Sequence, residues 1–172
     1  MHSGVGRVLA DTPYGRRRAE CEAAAALVGR PLGLADSDDL GGLTDPVLRR
    51  RARHVVAECA RVRATASALA TGDLVAAGGL MAASHRSLAD DFECSTPEVD
   101  RLVAALSSVP GVAGARMTGA GFGGCVVAIG EPGAAAAGIA RVVPPWGRWW
   151  RVLPGGGATV EEEAAGPGDP VV

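Results

Sequence analysis

Four glycines in six residues, Gly119-Ala120-Gly121-Phe122-Gly123-Gly124, form the stretch best suited to chemistry. Glycine takes up backbone dihedrals that a Cβ resists, so such a run can approach phosphates or a neighbouring loop closely. The spacing G-x-G-x-x-G is met by Gly119, Gly121 and Gly124. A dinucleotide loop of that spacing must open a helix, and here the run leads into the strand-like Cys125-Val126-Val127-Ala128-Ile129. A lysine-bearing phosphate loop is excluded outright, because all 17 basic residues are arginine. What is left is a tight glycine hairpin, either closed on itself or facing a partner surface. Arg116, just before it, has the reach to hold a phosphate or to stand solvated on an edge strand.

The other candidates read more plainly. Tyr14 is the only tyrosine, and a phenol can pack its ring while its hydroxyl makes a hydrogen bond. His54 and His85 fall on helices as surface or satisfied core residues. Asp90 and Asp91 outline a cation site but lack a third ligand nearby, so they read as a solvated helix end. Cys21, Cys59, Cys94 and Cys125 are widely spaced with no C-x-x-C pair, which argues for free thiols in a reducing compartment and against zinc. Glu161 to Glu163 are a solvated run. No catalytic residue and no metal site are expected in this chain.

A net charge of −2 gives no footing for nucleic acid or an anionic membrane as partner. No stretch approaches the roughly 20 apolar residues that a membrane helix needs, and no signal peptide is visible at the start. A cytoplasmic protein is expected.

These residues need elements to position them. Val5 to Leu9 suggest a short strand, and Pro13 a turn before a helix over 14–28 that Gly29 and Pro31 end. Asp45 followed by Pro46 predicts a capped helix start. Leu48, Ala52, Val55, Cys59, Val62, Ala66 and Leu69 then recur at alternating spacings of four and three, one apolar face closed by Gly72. Asp73 caps a helix to about Ala89, and a further helix starts with either Ser95 or Thr96 as its cap. After Pro110-Gly111 the character changes to strands over 112–118 and 125–129. A helix over 132–143 follows, Pro144-Pro145 end it, and Trp149 to Leu153 suggest a third strand. Helices first and strands last predict an α+β domain, a helical layer packed on a small antiparallel sheet.

The residues around the hairpin, Ala115-Arg116-Met117-Thr118-Gly119-Ala120-Gly121-Phe122-Gly123-Gly124-Cys125, resemble the A-R-M-T-G-G-G-F-G-G-C motif of galactokinases, sugar kinases of the GHMP family. Ala120 departs from it, and would strain the loop if that position required a positive φ. Tyr14 to Glu22 resemble the family's Y-N-x-R-R-x-E-C-E start, and Arg53 to Glu58 its R-A-R-H-V-V-x-E helix. Ser84 to Leu88, Asp90 to Phe92 and Ser95 to Asp100 resemble its S-H-x-S-L-x-x-D-Y-x-x-S-x-P-E-L-D stretch, and Pro154 to Ala158 its usual ending.

The resemblance runs in order through nearly the whole chain and implies a GHMP kinase C-terminal domain. Residues 1–13 are then expected to be the remnant of an N-terminal domain, 14–160 the domain itself and 161–172 a disordered tail. It implies that a complete enzyme transfers the γ-phosphate of ATP to the C1 hydroxyl of galactose with Mg²⁺. It also implies that Tyr14 contacts the sugar. Arg116, Gly119, Gly121, Phe122, Gly123 and Gly124 are implied to line an interface beside the phosphate loop. The sugar motif, phosphate loop and catalytic aspartate of the family are not found among the 172 residues. The chain alone is therefore expected to bind no ATP or Mg²⁺ and to be inactive. Half of a split kinase acting with a separate N-terminal chain, or a non-catalytic sugar-sensing or interaction module, are the alternatives.

Overall fold

A computed structural model describes residues 1–3, 13–131, 133–142, 147–153, 155 and 156. The suggested strand at 5–9, the Pro144-Pro145 stop and the expected tail at 161–172 lie outside the described residues. The described residues form five helices and two strands in order: α1 (Pro13–Val28), α2 (Pro46–Ala70), α3 (Leu74–Asp90), α4 (Pro97–Ser107), β1 (Val112–Thr118), β2 (Cys125–Gly130) and α5 (Ala134–Val142). Two 3₁₀ turns, Leu32–Leu34 and Asp38–Gly42, lie between α1 and α2.

The helix starts follow from their caps. The Asp45 carboxylate accepts from the Val47 and Leu48 amides at 2.7 and 3.1 Å, and Asp73 accepts from Ala76 at 2.9 Å. At α4 the cap is Thr96, which accepts from the Val99 amide at 3.3 Å, with Pro97 in the first helical position. Ser95 instead donates its hydroxyl to Asp100.

β1 and β2 pair antiparallel from Thr118↔Cys125 to Val112↔Gly130, with an irregularity at Ala113. Met1 to Ser3 lie along the outer edge of β2. The Val126 amide donates to the Met1 carbonyl and the Ser3 amide to the Gly124 carbonyl, both at 2.7 Å. On their far side the His2 amide donates to the Arg148 carbonyl at 3.2 Å. The third strand expected at 149–153 does not form: residues 147–153 take no regular structure, and Trp150, Val152 and Leu153 are exposed.

Two apolar clusters hold the layers. The larger joins α3, α4 and the sheet through Leu88, Cys94, Val99, Leu102, Val103, Leu106, Ala115, Met117 and Val126. Gly78 of α3 crosses β1 so closely that a Cβ there would overlap the Ala113 carbonyl. The smaller joins α1, α2 and the 3₁₀ turns through Ala24, Leu32, Leu40, Leu43 and Ala52. The apolar stripe expected along all of α2 is buried only in part. Ala52 is buried and Val55 and Cys59 are half-buried, but Val62 is 59% exposed and Leu69 is also exposed. In the second half of α2 the buried residue is Ala68, so the stripe through Val62 and Leu69 is left uncovered among the described residues.

Candidate site at the glycine hairpin

Between β1 and β2 the chain turns through the glycine run. Gly119, Gly121, Gly123 and Gly124 all have positive φ, from 85° to 121°, and Phe122 joins them at 58°. Only glycine enters that region without cost, which explains why the run is nearly all glycine. Ala120 is not among the positive-φ residues, so its departure from the family pattern carries no strain.

The hairpin has an open and a closed side. Thr118, Gly119 and Ala120 are exposed at its tip, while Gly121, Gly123 and Gly124 are buried on the return. Phe122, half-buried, packs against the larger cluster, and its amide donates to the Cys94 carbonyl at 2.6 Å. Gly121 passes so close to Cys94 that a Cβ would come within 2.6 Å of that carbonyl oxygen. The hairpin is thus anchored to the linker between α3 and α4. Burial pushes the Cys94 thiol up to about 11, so this cysteine serves by packing and by its carbonyl, not as a thiolate.

The same linker meets α1. The Arg17 guanidinium donates to the Phe92 carbonyl at 2.6 Å and to the Glu93 carbonyl at 3.3 Å. Tyr14 stands one helical turn before Arg17, hence on the same face of α1, and is 49% exposed. Through residues 92–94 the structure ties together the helix carrying Tyr14 and the hairpin carrying Gly119 to Gly124.

Arg116 points elsewhere. Its guanidinium donates to Glu58 of α2 at 3.0 Å and to the Met117 carbonyl at 3.0 Å. Glu58 also accepts from Ser84 and, at 2.7 Å, from Arg61. Burial pushes the Glu58 carboxyl up, but the hydrogen bonds from Ser84 and Arg61 and the charges of Arg61 and Arg116 outweigh it and hold it below its ordinary value. Arg116 therefore joins β1 to α2.

His54 and His85 are both satisfied core residues. His54 Nδ1 lies 2.9 Å from the Ser87 hydroxyl, which donates to Asp91 at 3.1 Å. His85 Nε2 lies 3.2 Å from Asp100. Burial lowers the pKa of both. Asp91 is not the solvated helix end that its position suggests: it pairs with Arg53, and its side chain is largely covered. Among the described residues no group of three or more His, Cys, Asp or Glu side chains could hold a metal ion. The described cysteines are free. No described helix is long and apolar enough to cross a membrane.

Sequence reasoning passed over Arg51, which is 1% exposed. It donates to Glu20 of α1 at 2.7 Å, to Glu93 at 2.6 Å and to the Asp91 carbonyl. The signal was present: Leu48, Arg51, Ala52 and Val55 share the i, i+3, i+4, i+7 stripe, so an arginine stands in an apolar row.

The family model for the C-terminal domain of GHMP kinases matches residues 65–145. A galactokinase of Enterococcus faecalis is 46% identical over 138 residues, covering 75% of this chain and 36% of the relative. The human galactokinase is 48% identical over 138 residues, covering 78% of this chain and 35% of the relative. The crystal structure of Lactococcus lactis galactokinase complexed with galactose superposes with a TM-score of 0.73 at 34% identity, covering 82% of this chain and 39% of that one. The chain thus spans a little over a third of the length of the relatives it matches.

Proposed function

Because this chain carries the GHMP kinase C-terminal domain and is homologous to the C-terminal region of galactokinases, we propose that it forms the sugar- and phosphate-facing wall of a cytoplasmic galactokinase. With a GHMP N-terminal half, the C1 oxygen of galactose would bond to the γ-phosphorus of ATP as the bond to the β-phosphate oxygen breaks and ADP departs. The hydroxyl proton would pass to a base outside these 172 residues. In this reading Tyr14 contacts the sugar, and the exposed tip at Thr118 to Ala120 closes against the phosphate-holding loop of the other half. Gly121 to Gly124 keep that tip rigid. Arg116 contributes by fixing β1 through Glu58.

The observation that carries this is the joining of an exposed Tyr14 and a positive-φ glycine hairpin through one linker, in a chain whose matched galactokinases include one solved with galactose. Positioning and charge stabilisation supply nearly all of the catalysis in phosphoryl transfer, so a wall alone has little to offer. The described residues offer no cluster of carboxylates that would hold Mg²⁺.

The test is galactose-dependent ADP formation. The chain alone is expected to show none. Joined to the N-terminal half of a galactokinase it is expected to turn over, and Tyr14→Ala is then expected to lower kcat/KM for galactose by about tenfold, one lost contact of about 1.4 kcal/mol. Failure of the joined, folded chain to form ADP would overturn the reading. Galactose binding by the chain alone, seen by calorimetry, would favour the sugar-sensing alternative.

A further inference from the structure

Four successive carbonyls of the α3–α4 linker each receive a donor. The Asp91 carbonyl takes Arg51, those of Phe92 and Glu93 take Arg17, and that of Cys94 takes the Phe122 amide. Glu93 sits at a φ of 52°, one of only two described non-glycine residues with positive φ. A glutamate is held there only when its surroundings overdetermine it. Three arginines converge on its carboxylate: Arg51 at 2.6 Å, Arg50 at 3.0 Å and Arg17 at 3.5 Å. The other positive-φ residue is Phe122. The two unusual backbone positions therefore lie at the two ends of one connection, Glu93 beside the acceptor and Phe122 at the donor.

We propose that Arg51 is a positioning residue for the glycine hairpin: through Glu93 and the Asp91 carbonyl it fixes the linker whose Cys94 carbonyl receives the Phe122 amide. Arg51 also bonds Glu20, two turns along α1 from Tyr14 and bonded to Arg17 at 3.0 Å. One buried guanidinium thus sets the hairpin against the Tyr14 helix. The geometric claim stands on this chain alone. Its consequence for phosphoryl transfer rests on the kinase reading above.

Hydrogen exchange on the 172-residue chain tests it, with the amides of α3 as internal reference. Glu93→Gln removes the charge that Arg51 grips, and Arg51→Lys keeps a charge but loses the guanidinium fork. Each is expected to speed exchange at the Phe122 amide about tenfold or more relative to α3, the loss of one charge-assisted hold. Arg18→Gln, which breaks only the exposed pair with Glu22, is expected to leave Phe122 unchanged. A folded Glu93→Gln chain in which Phe122 exchanges at the original rate, or speeds up only in step with α3, overturns the proposal. If Arg51→Lys does not fold, Glu93→Gln alone decides. In a chain joined to an N-terminal half, Glu93→Gln is expected to lower kcat more than it raises KM for either substrate. Loosened exchange in a joined chain that never forms ADP would sink the kinase reading and leave the clamp. Activity with unaltered exchange would do the reverse.

Discussion

The two halves of this domain are held by different physics. Under the sheet, α3 and α4 meet β1 and β2 through a continuous apolar cluster, and Gly78 lets backbone touch backbone. Around α1 and α2 the cluster is small, three leucines and two alanines, and a charged network completes it, with Arg51, Arg17 and Arg50 gripping Glu20 and Glu93. Apolar burial is non-directional and indifferent to pH. A buried ion pair is directional and collapses when one partner goes. The sheet side, His85 apart, should therefore act as the scaffold that pH leaves in place, while the α1 side carries a geometry that chemistry can loosen.

The strongest challenge to that contrast is Gly78→Ala. Its Cβ would meet main-chain atoms that cannot rotate away, and a loss of more than about 3 kcal/mol is expected, the same at pH 7 and pH 4. Urea denaturation at both pH values checks it. Arg51→Met comes next, at about 2 kcal/mol, since Glu20 and Glu93 lose their buried partner and keep only Arg16, Arg17 and Arg50. Its cost should shrink in acid as those carboxylates protonate, and equal costs at the two pH values would erase the distinction.

The pH dependence of the wild-type chain sharpens the comparison further. Burial pushes the Glu20 carboxyl up, but the hydrogen bonds from Arg51 and Arg16 win and hold it below its ordinary 4.5. The hydrogen bond from Arg51 does the same for Glu93. A group with a lowered folded pKa contributes stability that is full above its unfolded pKa and lost as pH falls through the folded value. The same sign holds for His54 and His85, lowered by burial from 6.5. The melting temperature is expected to begin falling just below pH 6.5 from the histidines and to fall again below pH 4.5 from the carboxylates. Arg51→Met should flatten the second fall and spare the first. Asp45→Ala, a lost cap on α2, is the smallest change, about 1 kcal/mol.

Where local chemistry decides, the sequence was a sufficient guide. Asp45, Asp73 and Thr96 cap the helices that follow them, and β1 spans the predicted residues. Where distant partners decide, it was not. The stripe through Val62 and Leu69 is periodic but exposed among the described residues, because periodicity records what a helix could bury and not what arrives to cover it. Arg51 sat in an apolar row, yet its burial depends on Glu20, Glu93 and Asp91, which lie 31, 42 and 40 residues away. Arg116 read equally well as a phosphate ligand or a solvated residue, and it bonds to Glu58, 58 residues before it. The hairpin was legible as a hairpin. Its anchor was not, since a main-chain carbonyl such as that of Cys94 leaves no mark in side-chain chemistry. Pairing of Met1 to Ser3 with β2 escaped for the same reason.

That last pairing bears on how the molecule keeps company with its own copies. A two-stranded ribbon with a bare rim invites strand addition by a neighbour. Here the rim of β2 is already occupied, and the segment occupying it is itself engaged on its far side by Arg148. Displacing Met1 to Ser3 from that rim would unmask the Val126 amide and the Gly124 carbonyl, and a variant loosened there should form higher-order species that the paired arrangement resists.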